Sequence, residues 1–477
     1  MNRCDEQRFE QIIELCVYVN LFELLNRVTA NNYAENEYNC NLNQDISSLL
    51  QCNKYINKIM TNKYSKCGYF SMTEIDKSFQ KCNLYTFEKS LQKCKLYEDN
   101  VHKLCVDSVW SHIPLLFFPK LSCLIIRYNP DLEILGIRNQ INRSSRRSIL
   151  INLPNITELT FGSYNNTPIK KGVLPMYLTK LTFGTGFNQP IGASLNEKDI
   201  LPSTLTKLTF GKYFNQVIEE GVLPINLTEL TFGNKFNQII KKDALTPNLT
   251  KLTFGRDFNQ VIEKETLSIN LKELVFGDNY DQLIEIGVLP INLIKLIFGK
   301  SFHHGIDVGT LPINLEVLIF GDNFDQPIEK GMLPMGLIEL TFGHYFNQSL
   351  KKDTLPQNLE KLTFGYCFNK QINKNVLPMN LTELKFGYDF NQAIKKDTLP
   401  MYLKKLEFGC NFNQAIIKDA LPQSLTTLEF GGKFVNSIKK GTLPTKLTKL
   451  VLDESYTKLI EKEQNQEIMI VRKRVQN

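Results

Sequence analysis

Apolar residues recur along most of the chain at a short, fixed spacing. Within residues 223–244, Leu230 and Phe232 are two positions apart, which places both side chains on one face of a β-strand. Glu229 and Thr231 alternate with them and must point to the opposite face. The pattern therefore predicts one short strand per repeat, with an apolar inner face and a polar outer face.

The repeat has an almost constant length. A Phe-Gly pair ends each predicted strand, and every step between pairs is 22 residues except the 27-residue step from Phe183 to Phe210. A period of about 20–29 residues indicates a solenoid in which each repeat forms one coil. The thirteen Phe residues are Phe161, Phe183, Phe210, Phe232, Phe254, Phe276, Phe298, Phe320, Phe342, Phe364, Phe386, Phe408 and Phe430.

The segments between strands favour turns over long helices. They are short and contain Gly, Asn and often Pro, such as Pro224, which lacks an amide hydrogen and cannot sit inside a β ladder. Phe236 and Ile240 supply apolar side chains for the far side of the coil. We interpret Gly233 and its equivalents as turn positions that need a positive φ.

A single coil cannot bury its own apolar face, but stacked coils can, with strands about 4.8 Å apart. The predicted fold class is therefore a β-rich solenoid of 22-residue repeats built on one parallel sheet. A small α-helical region is expected before it.

Outward-facing positions form regular rows in the predicted stack. The residue three before each Phe is mostly Glu or Lys, and eight neighbouring pairs have opposite charge, which is mildly favourable on adjacent strands. A second row carries Thr. A third, five residues after each Phe, carries Asn, whose side chain can bond backbone groups at a bend. We interpret all three rows as structural; the Asn residues are Asn188, Asn215, Asn237, Asn259, Asn347, Asn369, Asn391 and Asn413.

Three adjacent coils depart from these rows. They carry Val or Ile where Thr is usual, and a Val interrupts the charged row beside them. Adjacent strands would join these side chains into one apolar patch, which is a reasonable docking site, although scattered decay of the repeat is the alternative. The same coils carry Asp or His where Asn is usual. The candidate partner-binding residues are Val275, Ile297, Val317, Ile319, His303 and His304.

Two segments resemble the signature that names the FNIP repeat. They are Phe187–Ile191, Phe-Asn-Gln-Pro-Ile, and Phe324–Ile328, Phe-Asp-Gln-Pro-Ile, and the surrounding Leu-Pro-x-x-Leu-Thr-x-Leu-x-Phe-Gly is similar to the rest of that repeat. The family is known from amoebae and from the large DNA viruses that infect them. The resemblance implies a leucine-rich-repeat-like solenoid and a protein-interaction role, without naming a partner.

Residues 1–112 have a different pattern. They lack Phe-Gly units, and Phe9, Ile12 and Cys16 fit helical spacing. Residues 45–59 predict a second amphipathic helix, which resembles the later helix of an F-box. Two interpretations of this region stay open. It is either a degenerate F-box, which implies binding to a cullin-ligase adaptor, or a generic helical cap.

The predicted organisation has four parts. Residues 1–112 form the helical N-terminal region, and residues 113–150, with two degenerate Leu-x-x-Leu-x-Ile motifs, form capping coils. Residues 151–460 form the repeat solenoid. Residues 461–477 form a C-terminal cap or tail.

Composition adds few constraints. The 477 residues carry a net charge of +7, which is mild compared with a dedicated nucleic-acid binder. We see no secretory signal and no run of 18 apolar residues, so no membrane association is expected. Eleven Cys without a signal indicate reduced thiols and a cytoplasmic protein, or the host cytoplasm for a viral one.

The sequence contains no recognisable catalytic motif. It has only five His and lacks phosphate-binding loops and paired-carboxylate motifs, so we expect no enzyme activity, no cofactor and no metal. The favoured function is a non-enzymatic scaffold that binds an unknown protein partner through the solenoid. The alternative is a substrate receptor of a cullin-type ubiquitin ligase, and nucleic-acid binding is third.

Overall fold

The computed structural model describes residues 156–192, 200–462 and 467–474, together with the backbone of two earlier strands, 103–108 and 123–128. Strands and turns account for these residues, with no helix among them. The chain divides into two compact units, of which one ends at Gly184 and the other begins at Thr185.

The described part of the first unit contains four parallel strands. They are β1 (Lys103–Ser108), β2 (Cys123–Tyr128), β3 (Glu158–Phe161) and β4 (Lys180–Thr182), and each pairs with the next. Strand β2 lies in the segment expected to form opening coils. Strand β1 lies inside the segment expected to be helical, so that expectation is wrong for these six residues. The reason is visible in Lys-Leu-Cys-Val-Asp-Ser, where apolar residues alternate with period two at Leu and Val.

Among its described residues, the second unit has thirteen strands, all parallel and each paired with the next along the chain. The strand Leu residues lie in register, as Leu230 does with Leu252. The strands are β5 (Lys207–Thr209), β6 (Glu229–Thr231), β7 (Lys251–Thr253), β8 (Glu273–Val275), β9 (Lys295–Ile297), β10 (Val317–Ile319), β11 (Glu339–Thr341), β12 (Lys361–Thr363), β13 (Glu383–Lys385), β14 (Lys405–Glu407), β15 (Thr427–Glu429), β16 (Lys449–Asp453) and β17 (Met469–Lys473).

The core is a stack of equivalent side chains, one set per coil, with few substitutions between coils. The predicted inward residues Leu230 and Phe232, and the far-side residues Phe236 and Ile240, are all buried. Within a coil the Phe232 and Phe236 rings are 3.8 Å apart, and Phe232 lies 5.8 Å from Phe254 of the next coil. The predicted leucine-rich-repeat-like solenoid on parallel strands is confirmed.

The Phe-Gly glycine has a different role from the one its sequence suggested. None of the Phe-Gly glycines in the described residues has a positive φ, so the turn interpretation is wrong. Instead, a Cβ built on Gly299 would overlap the main-chain oxygen of Gly277 in the preceding coil. The glycines stack directly on one another, and only a residue without a side chain permits this approach.

In the coils of the regular 22-residue spacing, the positive φ lies eleven residues after the strand Phe. Gly287 and Gly309 occupy this position with φ of 87° and 89°, and Asp243 and Asp397 occupy it with 65° and 58°. Glycine adopts this conformation without a steric penalty, and Asp and Asn tolerate it better than most residues. Glu265 is the exception, with φ of 65°.

The asparagine row is confirmed as a hydrogen-bonded ladder. Asn215 Oδ1 accepts the main-chain N–H of Asn237 at 2.9 Å and the Gln238 side-chain amide at 3.0 Å. The same main-chain bond, at 2.8–3.0 Å, recurs in both regular stretches of the row. Each asparagine therefore satisfies a backbone donor that the bend leaves outside the sheet.

Candidate functional site

The outer face of the sheet carries the predicted charged row. Lys251 Nζ lies 2.9 Å from a Glu273 carboxylate oxygen, and Lys295 Nζ lies 3.5 Å from the other. Partial burial acts to raise the pKa of Glu273, but the hydrogen bonds and charges of the two lysines outweigh it and hold this pKa below its usual value. Glu273 is therefore a fixed negative charge at one end of strand β8.

The four predicted apolar residues lie on adjacent strands of this face. Val275 pairs with Ile297, and Ile297 pairs with Ile319. Val317 lies two residues before Ile319 in β10 and is paired with Lys295. All four side chains are half-buried. The structure therefore brings the four together as a contiguous set, here called the sheet patch.

His303 and His304 belong to a different row of the coil. They follow the buried Phe302 in the turn after β9, at the positions that hold Asn and Gln in regular repeats. His303 Nδ1 lies 2.8 Å from Asp281 Oδ1, and His304 Nε2 lies 3.5 Å from the same oxygen. The two imidazoles thus converge on one carboxylate from the preceding coil.

A second apolar row, which the sequence analysis missed, is more exposed than the sheet patch. Ile269, Ile291, Ile313 and Met335 occupy the turn before four successive strands, with exposed fractions between 55% and 66%. The position two residues after the buried Leu that opens this turn carries the signal, because it is repeatedly Ile or Met.

An open groove of about 650 Å³ runs beside this row, lined by Ile313 and by asparagines from four coils. These asparagines are structural, because Asn270 and Asn292 donate to main-chain oxygens of the preceding coil at 3.0 Å. The asparagine amides are therefore already engaged, and the charged side chains on the groove are those of Lys272 and Glu316.

Three stacked rings form a further surface feature that was not predicted. His344, Tyr366 and Tyr388 follow three successive Phe-Gly pairs, and their ring centroids are 4.6 Å and 4.4 Å apart. Tyr366 is 41% exposed. The residue after Phe-Gly is aromatic in these three coils, and that signal was available in the sequence. The rings use their faces on one another, so they offer edges instead of open stacking surfaces.

The lysines of the turn opposite the sheet are largely paired with acids. Lys351 lies 2.7 Å from Glu329, and Lys374 lies 3.0 Å from Asp397 in the next coil. Lys242 pairs with Glu265, so the pKa of this lysine is raised and that of Glu265 is lowered. Such exposed pairs add little stability, but they offset the positive charge of the turn.

The part of the chain that the structure describes contains no helix long and apolar enough to cross a membrane.

Comparison with solved structures shows a similarity to a leucine-rich-repeat protein. CroV588, a circular leucine-rich-repeat protein from a giant virus, is 35% identical with a TM-score of 0.64, over 77% of this chain and 59% of that protein. This chain thus spans less than two thirds of the length of that relative. An internalin, InlF from Listeria monocytogenes, is 17% identical over 67% of this chain and 92% of that protein, with a TM-score of 0.37.

Comparison at the level of sequence gives a family. No curated protein matches the chain. The FNIP Repeat family matches eight overlapping or adjoining segments that together extend over residues 148–433. This match covers more than half of the sequence and follows the 22-residue register of the coils. The chain therefore belongs to the FNIP-repeat family.

Proposed function

We propose that this protein is a non-enzymatic scaffold that binds a protein partner through the outer face of its sheet. One observation carries the proposal: Val275, Ile297, Val317 and Ile319 interrupt rows that hold Thr, Glu or Lys in the other coils from β3 to β15. The solenoid needs no apolar residue at these outward positions, because Thr fills the same backbone position in other coils.

The surroundings of the sheet patch suit a protein partner. Glu273 and Lys295 flank it with opposite charges, and Glu339 extends the charged row beyond β10. Interfaces commonly combine an apolar centre with a polar rim, which excludes water from the centre and sets the register of binding. The sheet patch has this arrangement on a small scale.

The two other proposed functions differ in their support. The F-box-like region, predicted within residues 1–112, lies outside the described residues apart from β1, so the ligase function stays a prediction. Nucleic-acid binding is less favoured, because pairs such as Lys351–Glu329 offset part of the positive charge of the turn opposite the sheet.

The test introduces charge into the sheet patch. A full-length chain with Ile297→Lys and Val317→Lys should retain its thermal unfolding midpoint, because Lys occurs at outward strand positions of other coils. It should lose at least about 30-fold in affinity for its partner, since burying one lysine charge against apolar surface costs several kcal/mol. Binding can be measured by quantitative affinity capture from an amoebal lysate, followed by titration with the captured protein.

The matched control is Thr231→Lys with Thr253→Lys, which adds the same two charges to the same face of two regular coils. This variant should bind as the unmodified chain does. If the Ile297 and Val317 variant is folded and binds its partner unchanged, the sheet patch is not the binding site. If both variants lose binding equally, net charge and not the patch governs the interaction.

A further inference from the structure

One pair of neighbouring coils replaces the amides of the asparagine ladder with groups of different chemistry. Asp281 occupies an Asn position, and the next coil has His303 and His304 where regular coils have Asn and Gln. In the regular ladder, the side-chain oxygen of one coil accepts a main-chain N–H and a Gln amide from the next. Carboxylate and imidazole groups can fill these hydrogen-bonding roles, but they also bind metal ions.

The three side chains present their donor atoms at the spacing of ligands that share one ion. Asp281 Oδ1 is 2.8 Å from His303 Nδ1 and 3.5 Å from His304 Nε2, and the three ligand atoms all lie within 4.8 Å of one another. Two ligands bound to zinc at ordinary bond lengths and a tetrahedral angle are about 3.3 Å apart. The ligand atoms therefore need only small movements to surround an ion.

The hydrogen bonds to the Asp281 side-chain oxygen are longer than their equivalents in the ladder. The His303 N–H lies 3.2 Å from Asp281 Oδ1, whereas the matching distance from Asp281 N–H to Asn259 Oδ1 is 2.9 Å. His304 Nε2 is 3.5 Å from that carboxylate oxygen, against 2.9 Å for the Gln282 amide and Asn259. His304 Nε2 also lies 3.2 Å from the Asp281 main-chain oxygen, the distance at which Gln348 and Gln392 donate to the equivalent oxygens of their ladders. The replacement therefore keeps the main-chain contact, lengthens the bonds to the side-chain oxygen, and brings two imidazole nitrogens beside it.

The fold holds the three groups together. Phe302 is fully buried and stacks on the neighbouring core rings, which fixes the start of the turn that carries both histidines. The two imidazole centroids are 4.6 Å apart, and the His304 ring also contacts the edge of Phe302. The His303 side chain is 55% exposed, so an ion and its water ligands can reach the site.

We propose that Asp281, His303 and His304 form a binding site for one divalent transition-metal ion of the zinc class. Two imidazoles and one carboxylate are ligands that zinc takes in proteins, and three protein ligands leave a coordination position open to solvent. The ion joins two adjacent coils, because Asp281 and the histidines come from successive repeats. Within the described residues, this is the one group of three such side chains close enough to share an ion.

The test uses cobalt(II) as a spectroscopic probe and zinc as the competing ion. The full-length chain, stripped of metal with a chelator, is titrated with cobalt(II) and compared with a chain carrying His303→Asn and His304→Gln. This double variant restores the Asn-Gln pair of regular repeats, as at Asn259 and Gln260. The unmodified chain should bind one more cobalt ion than the variant, and zinc should displace it.

The difference spectrum of the two chains identifies the ligands. It should contain the visible bands of cobalt held by nitrogen and oxygen and no sulfur-to-metal charge-transfer band, so cysteines elsewhere in the chain do not produce it. Asp281→Asn is the second variant, and it also restores a ladder residue. Its affinity should fall by at least about 10-fold, the lower end of the loss seen when even an outer partner of a ligand is removed.

Thermal unfolding in the chelator shows whether each variant is folded. Equal cobalt stoichiometry and affinity in the unmodified chain and the folded double variant would overturn the proposal. A sulfur charge-transfer band in the difference spectrum, or unchanged binding in folded Asp281→Asn, would overturn it as well.

Discussion

Two neighbouring stretches of the second unit, residues 207–262 and 273–328, have the same main-chain hydrogen-bonding pattern but different side chains on their outer surfaces. The Phe232 N–H donates to the Thr253 oxygen at 2.9 Å, and the Phe276 N–H donates to the Ile297 oxygen at the same distance. The first stretch shows Thr at these outward positions, and the second shows Val or Ile. Outward strand positions are therefore free to vary, because the coil is held by main-chain bonds and inward side chains.

The inward positions behave in the opposite way. Phe232 and Phe254 in the first stretch and Phe298 and Phe320 in the second are each 5.8 Å from one another. Each ring packs against its equivalents above and below, so a change in one coil alters the fit of two others. The comparison separates residues that maintain the stack from residues that are available for binding.

The largest expected effect on stability comes from the Phe-Gly glycine, a position at which both stretches need the same residue. Gly299→Ala places a methyl group on the main-chain oxygen of Gly277, so adjacent coils must separate. Overpacking of this kind should lower the free energy of unfolding by about 3 kcal/mol. Urea unfolding of the full-length chain, followed by circular dichroism, measures the change.

Gly305→Ala is the matched control for this substitution. Its methyl group would have no atom within 4 Å, and its φ is not positive, so the change in stability should stay within about 0.5 kcal/mol. If Gly299→Ala also changed the free energy of unfolding by only about 0.5 kcal/mol, adjacent coils would be able to move apart at little cost. The close glycine contact would then not constrain the stack.

The repeat length and the period-two alternation were enough to predict the solenoid, the parallel strands and the inward faces. They could not reveal why Gly299 is glycine, because its constraint comes from Gly277, 22 residues away. A local interpretation assigned the glycine to a positive φ, whereas that conformation lies at positions such as Gly287 and Asp243.

The candidate site was only partly predictable for the same reason. The sheet patch could be assembled from the sequence, because register places Val275, Ile297 and Ile319 side by side. The convergence of two histidines on Asp281 depends on how the turns stack. Asp281 lies in a different repeat from the histidines, so the three residues do not form a short sequence motif.

A smaller effect on stability is expected in the asparagine ladder, in which the two stretches differ. Asn259→Ala removes the acceptor for the Asp281 N–H and the Gln282 amide, which leaves a partly buried donor unpaired. This should cost about 2 kcal/mol. In the described part of the chain, the His303 ring accepts no bond from the following coil, since Gln326 donates to the His303 main-chain oxygen.

His303→Ala should therefore cost only about 0.5 kcal/mol when measured in a metal chelator. Urea midpoints of the two variants provide the comparison. Equal losses of stability in Asn259→Ala and His303→Ala would show that the side chain at this ladder position matters as much in residues 273–328 as in residues 207–262. That result would contradict the difference proposed between the two stretches.

An effect smaller than that of Asn259→Ala concerns the core ring that differs between the stretches. Tyr280 stands where other coils have Phe, and burial raises its pKa well above the usual 10.0. As pH rises through 10, the unfolded chain loses this proton first and binds fewer protons than the folded one, so stability is fully present below pH 10 and declines above it.

Tyr280→Phe removes this contribution, while the other tyrosines remain in both proteins. The variant should match the unmodified chain at pH 8 and exceed its stability by about 1 kcal/mol at pH 11. Urea unfolding at the two pH values measures the difference, and an equal decline in both proteins would place the Tyr280 hydroxyl in contact with bulk water in the folded state.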